Sequence, residues 1–159
     1  MKIDIEKRVE MARKNFESGY NCSQSIVLAF ADCYPIDQNT LLSISSSFGG
    51  GVGRLREICG AVSGMAMLAG MQLPNLNPED KDRKMANYSL VQDLSLKFKE
   101  QCGSYICREL LELPEGTVDD PIPSERTTEY YKRRPCADLV AIAARIYAES
   151  LQESQNLNQ

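Results

Sequence analysis

The chain contains no histidine. That excludes imidazole acid–base catalysis, histidine-based dyads and triads, and histidine metal ligation. It also lacks an apolar run of the roughly 20 residues that a membrane helix needs. The longest apolar stretch, Ile58 to Leu73, is interrupted by glycines and polar residues. No basic start followed by an apolar segment is visible, so no signal peptide or membrane insertion is expected and a cytoplasmic location is. Positive charge is not in excess. The net charge of −4 argues against a nucleic-acid partner, whose footprint is basic. There is no CxxC pair, no alternating strand pattern of useful length and no repeat.

What remains suits one soluble domain. The 159 residues are 43% hydrophobic and 25% charged, enough for a real core. Six of them are cysteines: Cys22, Cys33, Cys59, Cys102, Cys107 and Cys136. In a reducing compartment such a set points to metal binding or redox chemistry more than to a disulfide framework.

The pattern predicts an all-α, single-domain bundle of six to eight helices over residues 1–151, with a polar tail at 152–159. Ile5, Val9, Ala12 and Phe16 recur at helical spacing. Gly19 ends that helix, and Asn21 is a suitable N-cap for a second one over Cys22 to Cys33, stopped by Pro35. Asp37 or Asn39 caps a shorter helix ending near Phe48. The glycine-rich loop Gly49 to Gly53 follows, and a helix of small residues is expected from Leu55–Glu57 to Met71. The longest helix opens at Asn77 or Pro78, with Met85, Leu90, Val91, Leu94 and Phe98 as its apolar stripe, and ends near Gly103. Ser104 caps a short helix carrying Cys107. Residues 114–123 read as an acidic surface loop. A turn or two of helix passes Tyr130 and Tyr131, and Pro135 opens the last helix.

Against these boundaries Cys22, Cys59, Cys107 and Cys136 all fall in first turns of helices. Unpaired N–H groups and the partial positive charge of a helix N-terminus favour thiolate, which is both the nucleophile and the metal ligand. Arg54, Arg56, Arg108, Arg133 and Arg134 lie close in sequence to three of them. The plainer reading is that each cysteine is a small core hydrophobe. Cys33, at a helix end on an apolar side, reads as structural. Cys102, five residues before Cys107, is a resolving thiol or a helix-end residue. The loop GGGVG lacks the phosphate-loop pattern and reads as a tight connection that lets backbone pass near Cys59.

Cys59-Gly60-Ala61-Val62-Ser63-Gly64 matches a CGAxxG motif, with Asn21-Cys22-Ser23-Gln24-Ser25 upstream and Cys107-Arg108-Glu109-Leu110 and Cys136 downstream. In this the chain resembles the C_GCAxxG_C_C family, small redox-active proteins of bacteria and archaea with four characteristic cysteines. The resemblance spans roughly Cys22 to Ile146. It implies that Cys22, Cys59, Cys107 and Cys136 are the functional set and that Cys33 and Cys102 are additions.

Three functions fit the residues. The first is a thiol–disulfide oxidoreductase with a redox protein partner; Cys59, beside Arg54 and Arg56, is expected to be the most activated thiol, resolved by Cys22, Cys107 or Cys136. The second is a Cys₄ site on the same four residues, for zinc or an iron–sulfur cluster. The third is a non-enzymatic helical module whose cysteines only pack and whose acidic surface meets a protein partner.

Overall fold

The computed structural model describes residues 2–157. Among the described residues it has eight helices and no strand. Helix α1 (Ile5–Glu17) is capped by Asp4, whose carboxylate accepts from the Lys7 amide at 3.1 Å. Helix α2 (Cys22–Ala29) opens on a complete capping box: Asn21 accepts from the Gln24 amide, and the Gln24 side chain accepts from the Asn21 amide. Helix α3 (Gln38–Ser45) is capped by Asp37. Helix α4 (Gly60–Gln72) is the central small-residue helix, and α5 (Lys81–Cys102) is capped by Asp80. The short helices α6 (Cys107–Leu110) and α7 (Thr128–Arg133) lead to α8 (Cys136–Leu157). None of these helices is long and apolar enough to cross a membrane.

The core lies where α1, α2, α4 and α8 meet. Phe16, Phe30, Ile26, Met65, Leu68 and Tyr147 are buried there. Phe30 meets Tyr147 edge to face, with ring centroids 4.9 Å apart. The Tyr147 hydroxyl is not left bare: it donates to the Leu68 carbonyl at 3.2 Å and contacts the Tyr34 hydroxyl. Buried Arg8 is matched by a bidentate pair to Asp32 and by the Ala29 carbonyl.

Helices α2 and α4 approach closely. A Cβ placed on Gly64 would lie 2.7 Å from the Ile26 Cβ, and one on Gly60 would lie 3.0 Å from the Cys22 Cβ and 2.9 Å from the Phe48 carbonyl. The small residues of α4 therefore mark a backbone contact.

Several boundaries differ from the sequence pattern. The expected Cys22–Cys33 helix breaks after Ala29, and Ala31–Cys33 continue as a 3₁₀ turn. Helix α4 begins at Gly60, not at Leu55–Glu57, because Arg54 and Arg56 have positive φ (69° and 61°) and cannot enter a right-handed helix. The long helix starts after Asp80 and not at Asn77 or Pro78. Met85 does not join its buried stripe. Asn87 donates to the Leu73 carbonyl at the end of α4 and Arg83 to the Pro74 carbonyl just beyond it, and Met85, two residues from each, projects from the other side. The polar segment after Leu151 is helical to Leu157, and the Gln72 side chain donates to Ser154 Oγ at 3.2 Å. Asn158 and Gln159 lie outside the described residues.

Two glycines of α4 should respond oppositely to alanine. At Gly64 the added methyl meets Ile26, so Gly64→Ala should cost about 1–3 kcal/mol by overpacking. At Gly70 nothing lies within 4 Å, and Gly70→Ala should gain up to about 1 kcal/mol of helix propensity. Urea denaturation of the two variants checks the difference in sign.

Candidate functional site

The site is built from the starts of four helices and one strained turn. In the turn, Gly50, Gly51, Val52, Gly53 and Arg54 all have positive φ, between 58° and 69°. Valine and arginine pay for this conformation, at about 1–2 kcal/mol each. Gly51 is also a point of contact: a Cβ there would lie 2.6 Å from the Cys107 Cβ and 2.7 Å from the Glu57 nitrogen. The turn folds onto the extended segment that follows it. Arg56 and Glu57 amides donate back to the Gly50 and Gly51 carbonyls at 3.2 and 2.9 Å.

That extended segment pairs with another. Ile58 and Ile106 form an isolated antiparallel bridge. The Cys59 amide donates to the Tyr105 carbonyl at 2.9 Å, and the Cys107 amide donates to the Glu57 carbonyl at 2.6 Å. This short bridge brings Cys59, the N-cap of α4, alongside Cys107, the first residue of α6. Gly60 brings Cys22, the first residue of α2, against the same point. Cys136, the first residue of α8, completes the group: its thiol and that of Cys22 shift each other's acidity.

The four cysteines named by the motif thus share one locus, where each feels the charge of others. Cys33 and Cys102 do not join them. Cys33 lies by Asp32 and Arg8, and Cys102 is at the end of α5. All six thiols are free.

The four are not equivalent. Cys59 and Cys107 are buried, whereas Cys22 and Cys136 keep part of their surface exposed. Burial pushes the Cys59 thiol up to about 12, although the Ala61 and Val62 amides pull the other way. Burial also raises Cys107, against a 3.6 Å hydrogen bond from Arg56 Nη1. Cys136 goes the opposite way and is lowered to about 7. The largest cause is the hydrogen bond that Cys22 donates to it; Arg134, Arg126 and Arg56 add positive charge. As the donor in that bond, and through burial, Cys22 is raised well above an ordinary thiol. The expectation that Cys59 is the most activated thiol is therefore corrected. The positive charge expected to act on Cys59 is directed elsewhere. Arg56 reaches Cys107 and Asp119, and Arg54 reaches the Asp120 carbonyl and Ser124.

Two site residues escaped sequence reasoning. Arg126, far from any cysteine in sequence except Cys136, donates to the Phe16 and Tyr20 carbonyls and stacks over Phe16 with its guanidinium carbon 4.2 Å from the ring centroid. Asp119, in the acidic loop, receives Arg56 Nε at 2.6 Å. Neither carries a local sequence signal. Arg108 is held by Glu57, and Arg133 by Glu129.

A model of the family described as "Putative redox-active protein (C_GCAxxG_C_C)" matches residues 20–150. The chain belongs to this family. No curated protein matches it, and no solved structure does. The matched region contains the strained turn, the bridge and all four clustered thiols of this family member. Among the described residues, no group of three or more Cys, Asp or Glu side chains has the arrangement of a metal cage.

The acidities predict selective labelling. The rate of Cys136 alkylation by iodoacetamide should rise about tenfold per pH unit below its midpoint near pH 7 and level off above it. Cys59 should remain protonated and unlabelled throughout that range. Peptide mass spectrometry after timed labelling at each pH reads both; a Cys59 midpoint below that of Cys136 would contradict the assignment.

Proposed function

We propose that the protein is a thiol–disulfide exchange protein in which Cys136 attacks and Cys22 resolves. The observation that carries this reading is the opposite shift of the Cys22 and Cys136 thiols, which act on each other from the first residues of α2 and α8, with Arg56, Arg126 and Arg134 adding positive charge at Cys136. A thiol whose pKa lies near ambient pH is the best attacking group, because it is largely ionised yet still nucleophilic. Cys136, at about 7, meets that condition.

The Cys136 thiolate attacks one sulfur of a disulfide. A new S–S bond forms as the old one breaks, and the departing sulfur leaves as a thiolate. Cys22 then yields its proton to the departing group or to water and attacks Cys136 Sγ. The second half of the substrate leaves, and a Cys22–Cys136 disulfide remains. Two electrons have passed from the protein to the substrate, which ends as two thiols.

Cys59 and Cys107 form the buried side of the cluster in this scheme. Their burial disfavours thiolate, so they neither compete for the first attack nor leave a charge in the core. A reducing cytoplasm with a disulfide-bearing redox partner is the proposed setting, in keeping with six free thiols.

Oxidation of the intact protein with hydroxyethyl disulfide should consume two thiols and yield a Cys22–Cys136 peptide pair on mapping. Cys22→Ser should stop at the mixed disulfide on Cys136, and Cys136→Ser should lose the fast reaction. Accumulation of a pair that omits Cys136 would overturn the assignment. Stoichiometric metal on protein purified under anaerobic conditions, lost on substitution of these cysteines, would favour the metal reading instead.

A further inference from the structure

Beside the cluster is an open cleft of about 360 Å³. Its walls include four arginines: Arg54, Arg56, Arg126 and Arg134. Its remaining lining comes from glycines of the turn and from Pro121, Pro123 and Ser124, with Asn21, Ser46 and Tyr130. No cysteine lines the cleft, but its lining residue Asn21 immediately precedes Cys22 and its lining residue Arg134 stands two residues before Cys136, so the cleft borders the helix starts that carry both thiols.

The cleft has surplus positive charge. Asp119 and Asp120 are the carboxylates that pair with its arginines, and the Asp120 contact is long, at 4.0 Å. Arg126 spends its donors on backbone carbonyls. Arg134 makes no ion pair among the described residues and stacks only over Tyr130. Arg56 is 2% exposed, and its Nη2 has no hydrogen-bond partner. A buried guanidinium nitrogen without a partner is costly, and an acceptor supplied by a ligand would satisfy it. The Asn21 side chain and the Ser124 hydroxyl give further polar edge, while Pro121 and Pro123 give apolar surface.

Resting on the exchange reading above, we infer that this arginine-lined cleft selects a small disulfide bearing carboxylates. Guanidinium groups recognise carboxylate by paired, charge-assisted hydrogen bonds. The volume is at the lower end of small-ligand sites, which suits one half of a peptide-sized disulfide, not a folded partner. With a carboxylate held by Arg134 and the unpartnered Nη2 of Arg56, the disulfide is presented at the helix start that carries Cys136. The exchange then runs as written above: Cys136 bonds to the near sulfur, and the far half leaves as a carboxylate-bearing thiolate. Cys22 releases the bound half as a second such thiol.

The test compares three aliphatic disulfides of different charge: anionic 3,3′-dithiodipropionate, neutral hydroxyethyl disulfide and cationic cystamine. Mixed-disulfide formation on Cys136 is followed by intact mass in Cys22→Ser, and each rate is divided by that of 2-mercaptoethanol with the same reagent. The anionic reagent should be favoured over cystamine by about tenfold or more at low salt, and the preference should shrink as salt is added. In Arg134→Gln the ratio of the two rates should fall. The ratio is the readout because loss of Arg134 also changes the acidity of Cys136. A ratio of one or less, with all three reagents still reacting at Cys136, would refute anion selection and leave the exchange reading standing. If none of the three reacts there, the exchange reading itself fails, and this inference with it.

Discussion

The close approach of α2 to α4 is the constraint on which the site depends. Gly64 lets the backbones meet at Ile26, and Gly60 continues the contact to Cys22 and the Phe48 carbonyl. A side chain at either position would separate the two helix starts that carry Cys22 and Cys59. The helices touch at their small residues, so their N-termini converge and their first-turn thiols share one volume. The same contact explains why α4 tolerates glycine in its interior. Propensity lost along the helix is recovered as packing between helices.

Convergence alone would make four similar thiols. The difference between them comes from where the arginines are held. The strained turn Gly50–Arg54 and the residue Arg56 direct two guanidinium groups away from Cys59, one to Cys107 and Asp119, the other to the acidic loop. Residues 119–126 close over the turn and bring Arg126 to the remaining side of the cluster. Cys59 is left to burial, which raises it. Cys136 collects the Cys22 hydrogen bond and three positive charges, which lower it. A loop that looks like acidic surface filler in sequence thus takes part in setting the electrostatics of the sulfur site. Backbone strain at Val52, Arg54 and Arg56 is the cost of that arrangement, as is common where geometry serves a site.

The buried and exposed halves of the cluster suggest a division of labour. Cys59 and Cys107 are buried, whereas Cys22 and Cys136 follow the cleft residues Asn21 and Arg134 in the chain and are less buried. Charge that develops during exchange at Cys136 has guanidinium groups near it, whereas the same charge on Cys59 would have to be carried in apolar surroundings. The chemistry is thereby directed to one sulfur of four.

Much of the fold was legible in the chain. The all-α class follows from helical periodicity and the absence of alternating stretches. The helix order follows from caps such as Asn21 and Asp37 and from Gly and Pro stops. The four thiols at helix starts were legible too, because capping residues and glycines mark first turns locally. The start of α4 was not, since left-handed φ at Arg54 and Arg56 is imposed by hydrogen bonds to the glycine turn and by pairing with the segment through Ile106. Nor was the ranking of the thiols. Sequence proximity pointed Arg54 and Arg56 at Cys59, but a side chain's charge acts through space, and its direction is set by contacts across more than 50 residues. What the chain determined by itself is which residues are reactive in kind: six thiols, no imidazole, and glycine where backbones must meet. Which sulfur is ionised was decided only by the tertiary structure, because burial and charge distance are properties of the folded volume and have no local code.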